Sequence, residues 1–460
     1  MNKIEIFNIN LDIARKLGNT KTEKYFILPI MLENNKLTVL SSEEKLNNKE
    51  ELEFLFNSKI EAIKMKNDDI RDLIFKVFLG ESNNLLEEIL CKAIIERASD
   101  IHFEPQREEV FIRIRIDGLL VPFTKIKNEE YHKLLSQIKI MGNMDITEKR
   151  KPQDGKAYIK VQEEDYDLRL STIPIVYGEK LVIRILYGEI FEHELNNLNM
   201  SKFQREKLKK MIAVKNGLIL INGPTGSGKS TTLYSILKEI NKKNINITTL
   251  EDPVEVLING VNQVSLNKKA NITFSTGLRS ILRQDPDVLM IGEIRDEETA
   301  NIAVTASLTG HKVYSTIHTK TPKEVLLRLE DMGVKPYLIK DSLIGIISQR
   351  LIRILCSNCK EKDKTMTLDN KSIVVYKSVG CNHCNYTGYK GRMSVSAVVY
   401  IDEEVKKTFS NIFQEIKELS NQEMIMNLNY LLKNGFITIE DYNNFLIEEA
   451  LDYEKNRIFI

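Results

Sequence analysis

The segment 217–240, "GLILINGPTGSGKSTTLYSILKEI", constrains the fold more than any other part of this 460-residue chain. It holds G-x-x-x-x-G-K-S from Gly223 to Ser230, after an apolar run at Leu218 to Ile221 and before a helical stretch at Thr231 to Ile240. A strand, this loop and a helix in that order form a phosphate cradle. The glycines let the backbone curl so that its N–H groups point inward at phosphate oxygens. The helix N-terminus adds partial positive charge. Lys229 then reaches the β- and γ-phosphates, and Ser230 gives its hydroxyl to magnesium. The nucleotide-binding residues expected are Gly223, Pro224, Thr225, Gly226, Ser227, Gly228, Lys229, Ser230 and Thr231.

Strands alternate with helices from "KFQREKLKKMIAV" to about residue 345, the pattern of a doubly wound sheet. Two of those strands end in acids. In "INITTLEDPVE" the run Ile245 to Leu250 is followed by Glu251, Asp252 and Glu255; in "DVLMIGEIRD" the tip is Glu293. In a parallel sheet both tips lie on the edge that carries the phosphate loop. Phosphoryl transfer to water needs a carboxylate for the nucleophile and a group that holds magnesium, directly or through water. The two tips can divide these roles; otherwise "EDPVE" is only a charged turn. Gly292 is expected to leave backbone room near the phosphates. In "TGHKVYSTIHTKT", His311 precedes the strand Val313 to Ile317 and His318 follows it. His318 is a candidate γ-phosphate sensor, with packing or capping as the alternative.

Ahead of this core, residues 1–80 fit a small α/β module, with "KYFILPIMLENNKLTVLSS" as two strands around an Asn-Asn turn. Residues 81–188 read as an α+β domain. It has a helix in "ESNNLLEEILCKAIIERASD", a half-buried strand in "EVFIRIRIDGLLVPF" and two strands in "DYDLRLSTIPIVYGEKLVIRIL". Arg113, Arg115, Arg169 and Arg184 fall on the polar face of these strands, as solvated side chains or as ligand contacts. Residues 189–197 have no clear period and read as a linker to the core at 198–350. A charged, mostly helical region fills 401–460.

Between core and tail, in 351–400, Cys356, Cys359, Cys381 and Cys384 give C-x2-C-x21-C-x2-C. Four thiolates at this spacing close a tetrahedral structural zinc site and leave no position for a reacting water. A redox pair would need a thioredoxin-like context, which is missing. Cys91 sits in an apolar helix stripe and is expected in a core. Lys and Arg total 66 against 65 Asp and Glu, a balance without the basic excess of non-specific nucleic-acid binders. No run approaches the roughly 20 apolar residues that span a bilayer, and the first residues are too acidic and interrupted for a secretory signal. The expectation is a cytoplasmic protein that meets a membrane only through partners or a surface helix.

Together "GPTGSGKSTTLYS", "LEDPVE", "LRSILRQDPDVLMIGEIRDEETA", "LTGHKVYSTIHT" and "SQRLIRILCSNCK" resemble the secretion ATPases of type II secretion and type IV pilus assembly. The likeness extends upstream through "ASDIHFEPQ", "RIRIDG", "KPQDGK" and "RLSTIPIVYGEKLVIRIL", over residues 85–395, and more weakly over 22–80. It implies an α/β fold: a RecA-like P-loop NTPase core, a preceding α+β (PAS-like) domain, a small N-terminal module and a tetracysteine zinc insertion. It implies a homo-hexamer that hydrolyses ATP with Mg2+ and drives an inner-membrane platform protein. The N-terminal module would meet the cytoplasmic domain of a pilus or secretion assembly protein.

By the same resemblance Glu255 matches the catalytic glutamate, and Glu293 the Walker B glutamate that contacts Mg2+ through water. His311 and His318 lie in the histidine box. Arg169 and Arg184 match arginines that reach a nucleotide site from the second domain. Lys312, Lys320 and Ala397 depart from the usual pattern, the last at a position where glutamate is usual. The N-terminal module lacks the arginine-containing repeat that binds cyclic di-GMP in some relatives, so no such binding is expected. The tetracysteine insertion favours an assembly or secretion motor over a retraction motor. A nucleotide-gated scaffold with little turnover, and a nucleic-acid motor using the zinc module, are the rival readings.

Overall fold

A computed structural model describes residues 6–42, 46, 48–79, 84–161, 164–187, 195, 198–368, 371–407 and 412–451. The chain divides into two compact units, 1–187 and 188–460. Of the stretch expected as a linker, 189–197, only Leu195 is among the described residues.

The first unit opens with helices α1 (Leu11–Arg15) and α2 (Asn19–Tyr25), strands β1 (Ile27–Glu33) and β2 (Lys36–Ser41), helix α3 (Lys49–Phe56), strand β3 (Lys59–Lys64) and helix α4 (Asn67–Phe78). The β1–β2 turn is Asn34-Asn35, both at positive φ, the conformation that matches strand twist in a two-residue hairpin. Helix α5 (Leu85–Ile95) leads into strands β4 (Asp100–Pro105), β5 (Glu109–Ile116) and β6 (Leu119–Lys127), helix α6 (Asn128–Met141), and strands β7 (Gln153–Val161), β8 (Glu164–Ile175) and β9 (Gly178–Leu186). These six strands form one antiparallel sheet in the order β6-β5-β4-β9-β8-β7. "EVFIRIRIDGLLVPF", expected as one strand, is a hairpin. Asp117 and Gly118 both take positive φ and turn the chain between β5 and β6.

The second unit begins with helix α7 (Lys202–Ala213), capped at its start by Ser201 and Gln204. Then come β10 (Gly217–Asn222), α8 (Lys229–Ile240), β11 (Ile247–Glu251), β12 (Asn262–Ser265), α9 (Phe274–Ile281), β13 (Val288–Ile291), α10 (Glu297–Leu308) and β14 (Lys312–Ile317). Helices α11 (Pro322–Asp331) and α12 (Pro336–Ser342) precede the long strand β15 (Leu343–Leu355). The sheet order is β12-β11-β13-β14-β10-β15-β18, parallel except for the pairing of β15 with β18 (Tyr389–Tyr400). Side chains alternate between its two faces. Leu218 and Leu220 join the core under α9 to α12, while Ile219 and Ile221 join the core under α7 and α8.

Between β15 and β18 lies the hairpin β16 (Glu361–Leu368) and β17 (Lys371–Lys377). Helices α13 (Glu403–Lys407), α14 (Ile412–Lys433) and α15 (Ile439–Glu448) end the described chain. Val375 of the hairpin, Val395 and Ala397 of β18, and Leu428 and Leu446 of the last helices share one core. Ala397 is therefore a packed core residue. Next to it in the chain, Val398 N–H donates to Glu423 of α14 at 2.8 Å, and Glu423 also accepts from Gln204 Nε2 at 3.1 Å.

Candidate active site

The loop after β10 needs its glycines. Gly223, Gly226 and Gly228 all have positive φ, and a Cβ on Gly223 would lie 2.4 Å from Gln349 O and 2.5 Å from Ser227 Oγ. Lys229 is the first residue of α8, and its Nζ donates to Gly223 O and Pro224 O at 2.8 Å each. Burial pushes the Lys229 ammonium down to about 8, with the Glu293 carboxylate acting in the opposite sense. Ser230 and Thr231 follow in the first turn of α8, half-buried.

The apolar residues of β13 carry the chain to the same edge, where Glu293 stands two residues beyond Ile291. One Glu293 oxygen pairs with Arg295. The other, Oε2, is buried with no hydrogen-bond partner among the described residues and lies 3.4 Å from His318 Nε2. Burial lowers the His318 pKa, and the nearby Lys229 charge adds to that. Thr225, Glu293, Ile294, Arg295, His318 and Arg328 line a cavity of about 420 Å³. An orphaned carboxylate oxygen, a lysine and a glycine-rich loop on one edge suit a triphosphate and its divalent cation.

Gly292 serves a different neighbour from the one expected. A Cβ there would sit 3.3 Å from Leu250 O and 3.4 Å from Glu251 Cα, so it lets β13 lie against the end of β11. Glu251 is buried and held by Tyr234, by the Thr249 hydroxyl at 2.5 Å and by Gln263 at 3.2 Å. Glu255 is exposed on the loop beyond β11, its N–H 3.4 Å from Tyr234 Oη, and is not in the lining of the 420 Å³ cavity. His311 sits at the opposite end of β14 from His318. Its carbonyl accepts from Gly217 N–H at 3.1 Å and its Nδ1 lies 3.0 Å from Ala306 O, a capping position for α10.

The structure therefore gathers the phosphate loop, Glu293 and His318 at one cavity, with Glu255 on a neighbouring loop of the same unit. Arg169 and Arg184 belong to the first unit, where they are cross-strand partners on β8 and β9. With Asp100, Asp154, Lys156 and Ser171 they line a cavity of about 550 Å³. Arg184 Nε donates to Asp100 at 2.9 Å with the side chain still 63 % exposed. Arg169 Nε is buried without a hydrogen-bond partner among the described residues. Arg113, by contrast, is spent in a two-pronged pair with Glu104, at 2.7 and 2.9 Å.

Sequence reasoning missed Gln349, which accepts from Thr232 Oγ1 at 2.7 Å and whose carbonyl packs on Gly223. It also missed Asn222, whose amide donates to Thr319 O at 3.3 Å beside His318. Asn222 ends the strand before the glycine loop and Gln349 lies in "SQRLIRILCSNCK", but only the sheet, which sets β10 between β14 and β15, brings their side chains to the loop. Lys312, an unexpected charge in a strand, is buried and donates to Met211 O and Val214 O at the end of α7, at 2.5 and 2.6 Å.

The four cysteine sulfurs lie within 4.8 Å of one another. Separations of 4.0 Å (Cys356–Cys381), 3.7 Å (Cys359–Cys384) and 3.8 Å (Cys381–Cys384) match the edge of a tetrahedron, about 3.8 Å for Zn–S bonds of about 2.3 Å. Burial raises the Cys359 thiol to about 12. Burial acts the same way on Cys384, but the N–H groups of Cys381 and Gly388, each 3.3 Å from its sulfur, favour the thiolate and lower its pKa overall. The donor set fits zinc. His383 faces Lys390 and is not one of the clustered ligands. Cys91 packs half-buried against the first unit's core.

The doubly wound sheet, the phosphate loop and the acids on its edge define a P-loop nucleotide hydrolase. Residues 79–444 match the family described as Type II/IV secretion system protein, and the chain belongs to that family. It is 44 % identical over 340 residues to the type II secretion system protein E of Aeromonas hydrophila, a match spanning 72 % of this chain and 68 % of that one. It is 41 % identical over 376 residues to the type IV pilus assembly ATPase PilB of Thermus thermophilus, spanning 78 % of this chain and 42 % of the relative. Among solved structures, the pilus retraction motor PilT with bound ADP superposes with a TM-score of 0.57 at 27 % identity, covering 80 % of this chain and 98 % of that one. The Legionella pneumophila ATPase DotB shares the fold, with a TM-score of 0.62 at 21 % identity over 80 % of this chain and 98 % of its own. The chain is accordingly an ATP-hydrolysing enzyme of the secretion-ATPase class.

Proposed function

We propose that this ATPase is a homo-hexameric motor that drives assembly of a type IV pilus or pseudopilus through an inner-membrane platform protein. The observation that carries the catalytic part is the shared cavity of the phosphate loop, Glu293 and His318. The biological setting rests on the likeness to a pilus assembly ATPase and to type II secretion proteins. Protein export by a type II secretion machine is the second reading, since the Aeromonas hydrophila relative carries that name.

In this reading the glycine loop and Lys229 bind the β- and γ-phosphates. Mg2+ would be held by the Ser230 hydroxyl and, through water, by Glu293; bound there, it neutralises charge on the phosphate oxygens. Glu255 takes the proton of the attacking water, and His318 reads the γ-phosphate from the end of β14. Arg169 and Arg184 reach a nucleotide from the first unit, their own or a neighbour's, and stabilise charge on the transferred phosphoryl group. A finger on a separate unit couples hydrolysis to movement of that unit. The four cysteines would hold Zn2+, which closes the base of the β16–β17 hairpin and supplies no reactive position.

The domain division offered is an N-terminal partner-binding module at 1–80, an arginine-bearing domain at 81–188, a linker at 189–197, a core at 198–350, a zinc module at 351–400 and a helical region at 401–460. Among the described residues no helix is long and apolar enough to cross a membrane. Attachment at the cytoplasmic face of a membrane through the platform protein fits that.

The test is magnesium-dependent phosphate release by the full chain, with its mass in solution measured by light scattering. Turnover that vanishes in Lys229→Ala, in a particle of six chains, supports the motor. Tight ATP binding without phosphate release, even with the platform protein added, would make the chain a nucleotide-gated scaffold.

A further inference from the structure

The loop that carries Glu255 is held at four points by side chains. Val254 N–H donates to Ser265 Oγ at 3.2 Å, Glu255 N–H to Tyr234 Oη at 3.4 Å and Ile258 N–H to Gln263 Oε1 at 2.7 Å. The Val256 carbonyl accepts from Gln263 Nε2 at 2.9 Å. Two of these holders, Gln263 and Ser265, stand two residues apart on the edge strand β12, so both face the loop.

Behind the loop lies the buried Glu251 carboxylate. Its Oε1 accepts from Thr249 Oγ1 at 2.5 Å and from Gln263 Nε2 at 3.2 Å, and its Oε2 accepts from Tyr234 Oη. With both oxygens engaged and the residue 4 % exposed, Glu251 cannot reach a nucleotide. It can orient the two side chains that grip the Glu255 loop. Gln263 is suited to this by valence. Its oxygen meets an N–H, and its NH2 group meets two acceptors, Val256 O and Glu251 Oε1. Only an amide, in this one orientation, satisfies all three.

We propose that Gln263, with Tyr234 and the buried Glu251 behind it, is a positioning residue that sets where the Glu255 carboxylate points. The proposal rests on the reading of Glu255 as the base. Gln263 fixes the backbone just after Glu255, at Val256 and Ile258, while Tyr234 holds Glu255 itself and Ser265 holds Val254 before it. A displacement of about 1 Å in a reacting group costs on the order of a hundredfold in rate. The cluster joins three elements: α8 through Tyr234, β11 through Thr249 and Glu251, and β12 through Gln263. A shift of α8 when its N-terminus binds phosphate would reach Glu255 by this path.

The test uses the full chain with Gln263→Leu, which keeps volume and removes the amide, beside Glu255→Gln. The expected result for Gln263→Leu is a kcat lower by between about ten- and a hundredfold. Affinity for a fluorescent ATP analogue stays at the wild-type value, while the thermal unfolding midpoint falls with the loss of three hydrogen bonds. In the Glu255→Gln background Gln263→Leu costs nothing further. Tyr234→Phe, a one-atom change tolerated where Gln263→Leu fails to fold, lowers kcat in the same sense.

Gln263→Glu adds a readout that a packing role would not move. It faces one carboxyl with another, so its kcat rises as pH falls and the pair shares a proton. Wild-type kcat kept in Gln263→Leu, with turnover lost in Glu255→Gln, overturns the positioning role alone. So does a loss of nucleotide affinity equal to the loss in kcat. Turnover kept in Glu255→Gln overturns the reading of the base, and the proposal with it.

Discussion

Lys312 offers a prediction whose size follows from its surroundings. Its ammonium sits inside the second unit, 4 % exposed, and its contacts are the carbonyls of Met211 and Val214 at the end of α7. Burial lowers its pKa from 10.5 to about 8, which corresponds to about 3 kcal/mol against the charged form. Below pH 8 the lysine is charged in both folded and unfolded chains, and the full cost is present. Between about 8 and 10.5 the folded chain gives up the proton while the unfolded chain keeps it, so stability rises with pH. Lys312→Met removes this dependence and also the bonds to the two carbonyls, a loss that does not vary with pH.

The assay is thermal unfolding of the full wild-type and Lys312→Met chains at pH 7.5, 8.5 and 9.5. The wild type should gain on the variant at each step, approaching about 3 kcal/mol only above pH 10. A constant difference across that range would show that the buried amine does not titrate there.

Other substitutions probe the site itself. Gly223→Ala puts a Cβ 2.4 Å from Gln349 O, so nucleotide binding should fail in a calorimetric titration while the sheet still folds by circular dichroism. Arg184→Ala should cut kcat by roughly a thousandfold with nucleotide affinity kept, the magnitude of a lost arginine finger. Arg113→Ala, whose partner is Glu104, should leave kcat near wild type in the same phosphate-release assay. Cys384→Ser should take bound zinc, read by metal analysis, from one per chain to none. It should also loosen the core that Val375 shares with Leu428 and Leu446.

Much of the nucleotide site was legible because its chemistry is local. From Gly223 to Thr231 the residue types, their order and the flanking strand and helix all lie within one stretch. The four cysteines were legible for the same reason: two tight pairs already carry the ligand geometry. What escaped depends on pairing between distant strands. Gln349 reaches the loop only because β15 lies beside β10, and Gln263 reaches Glu251 only because β12 pairs with β11. Gly292 sits where the motif led one to look, yet its need for space comes from Glu251 on the adjacent strand. The turn at Asp117-Gly118 could have been read, since that dipeptide is a strong hairpin signal; the alternation on either side masked it. His311 and His318 bracket one strand in the sequence yet lie apart, because a six-residue strand puts its two ends on opposite edges of the sheet.

The central claim is that two acids divide the work, Glu293 at the magnesium and Glu255 at the water. The direct measurement is phosphate release against magnesium concentration for Glu293→Gln and Glu255→Gln, with bound nucleotide identified after gel filtration. The account predicts that Glu293→Gln shifts the magnesium dependence to higher concentration, whereas Glu255→Gln leaves it unchanged and retains uncleaved ATP. Identical behaviour of the two variants would contradict it.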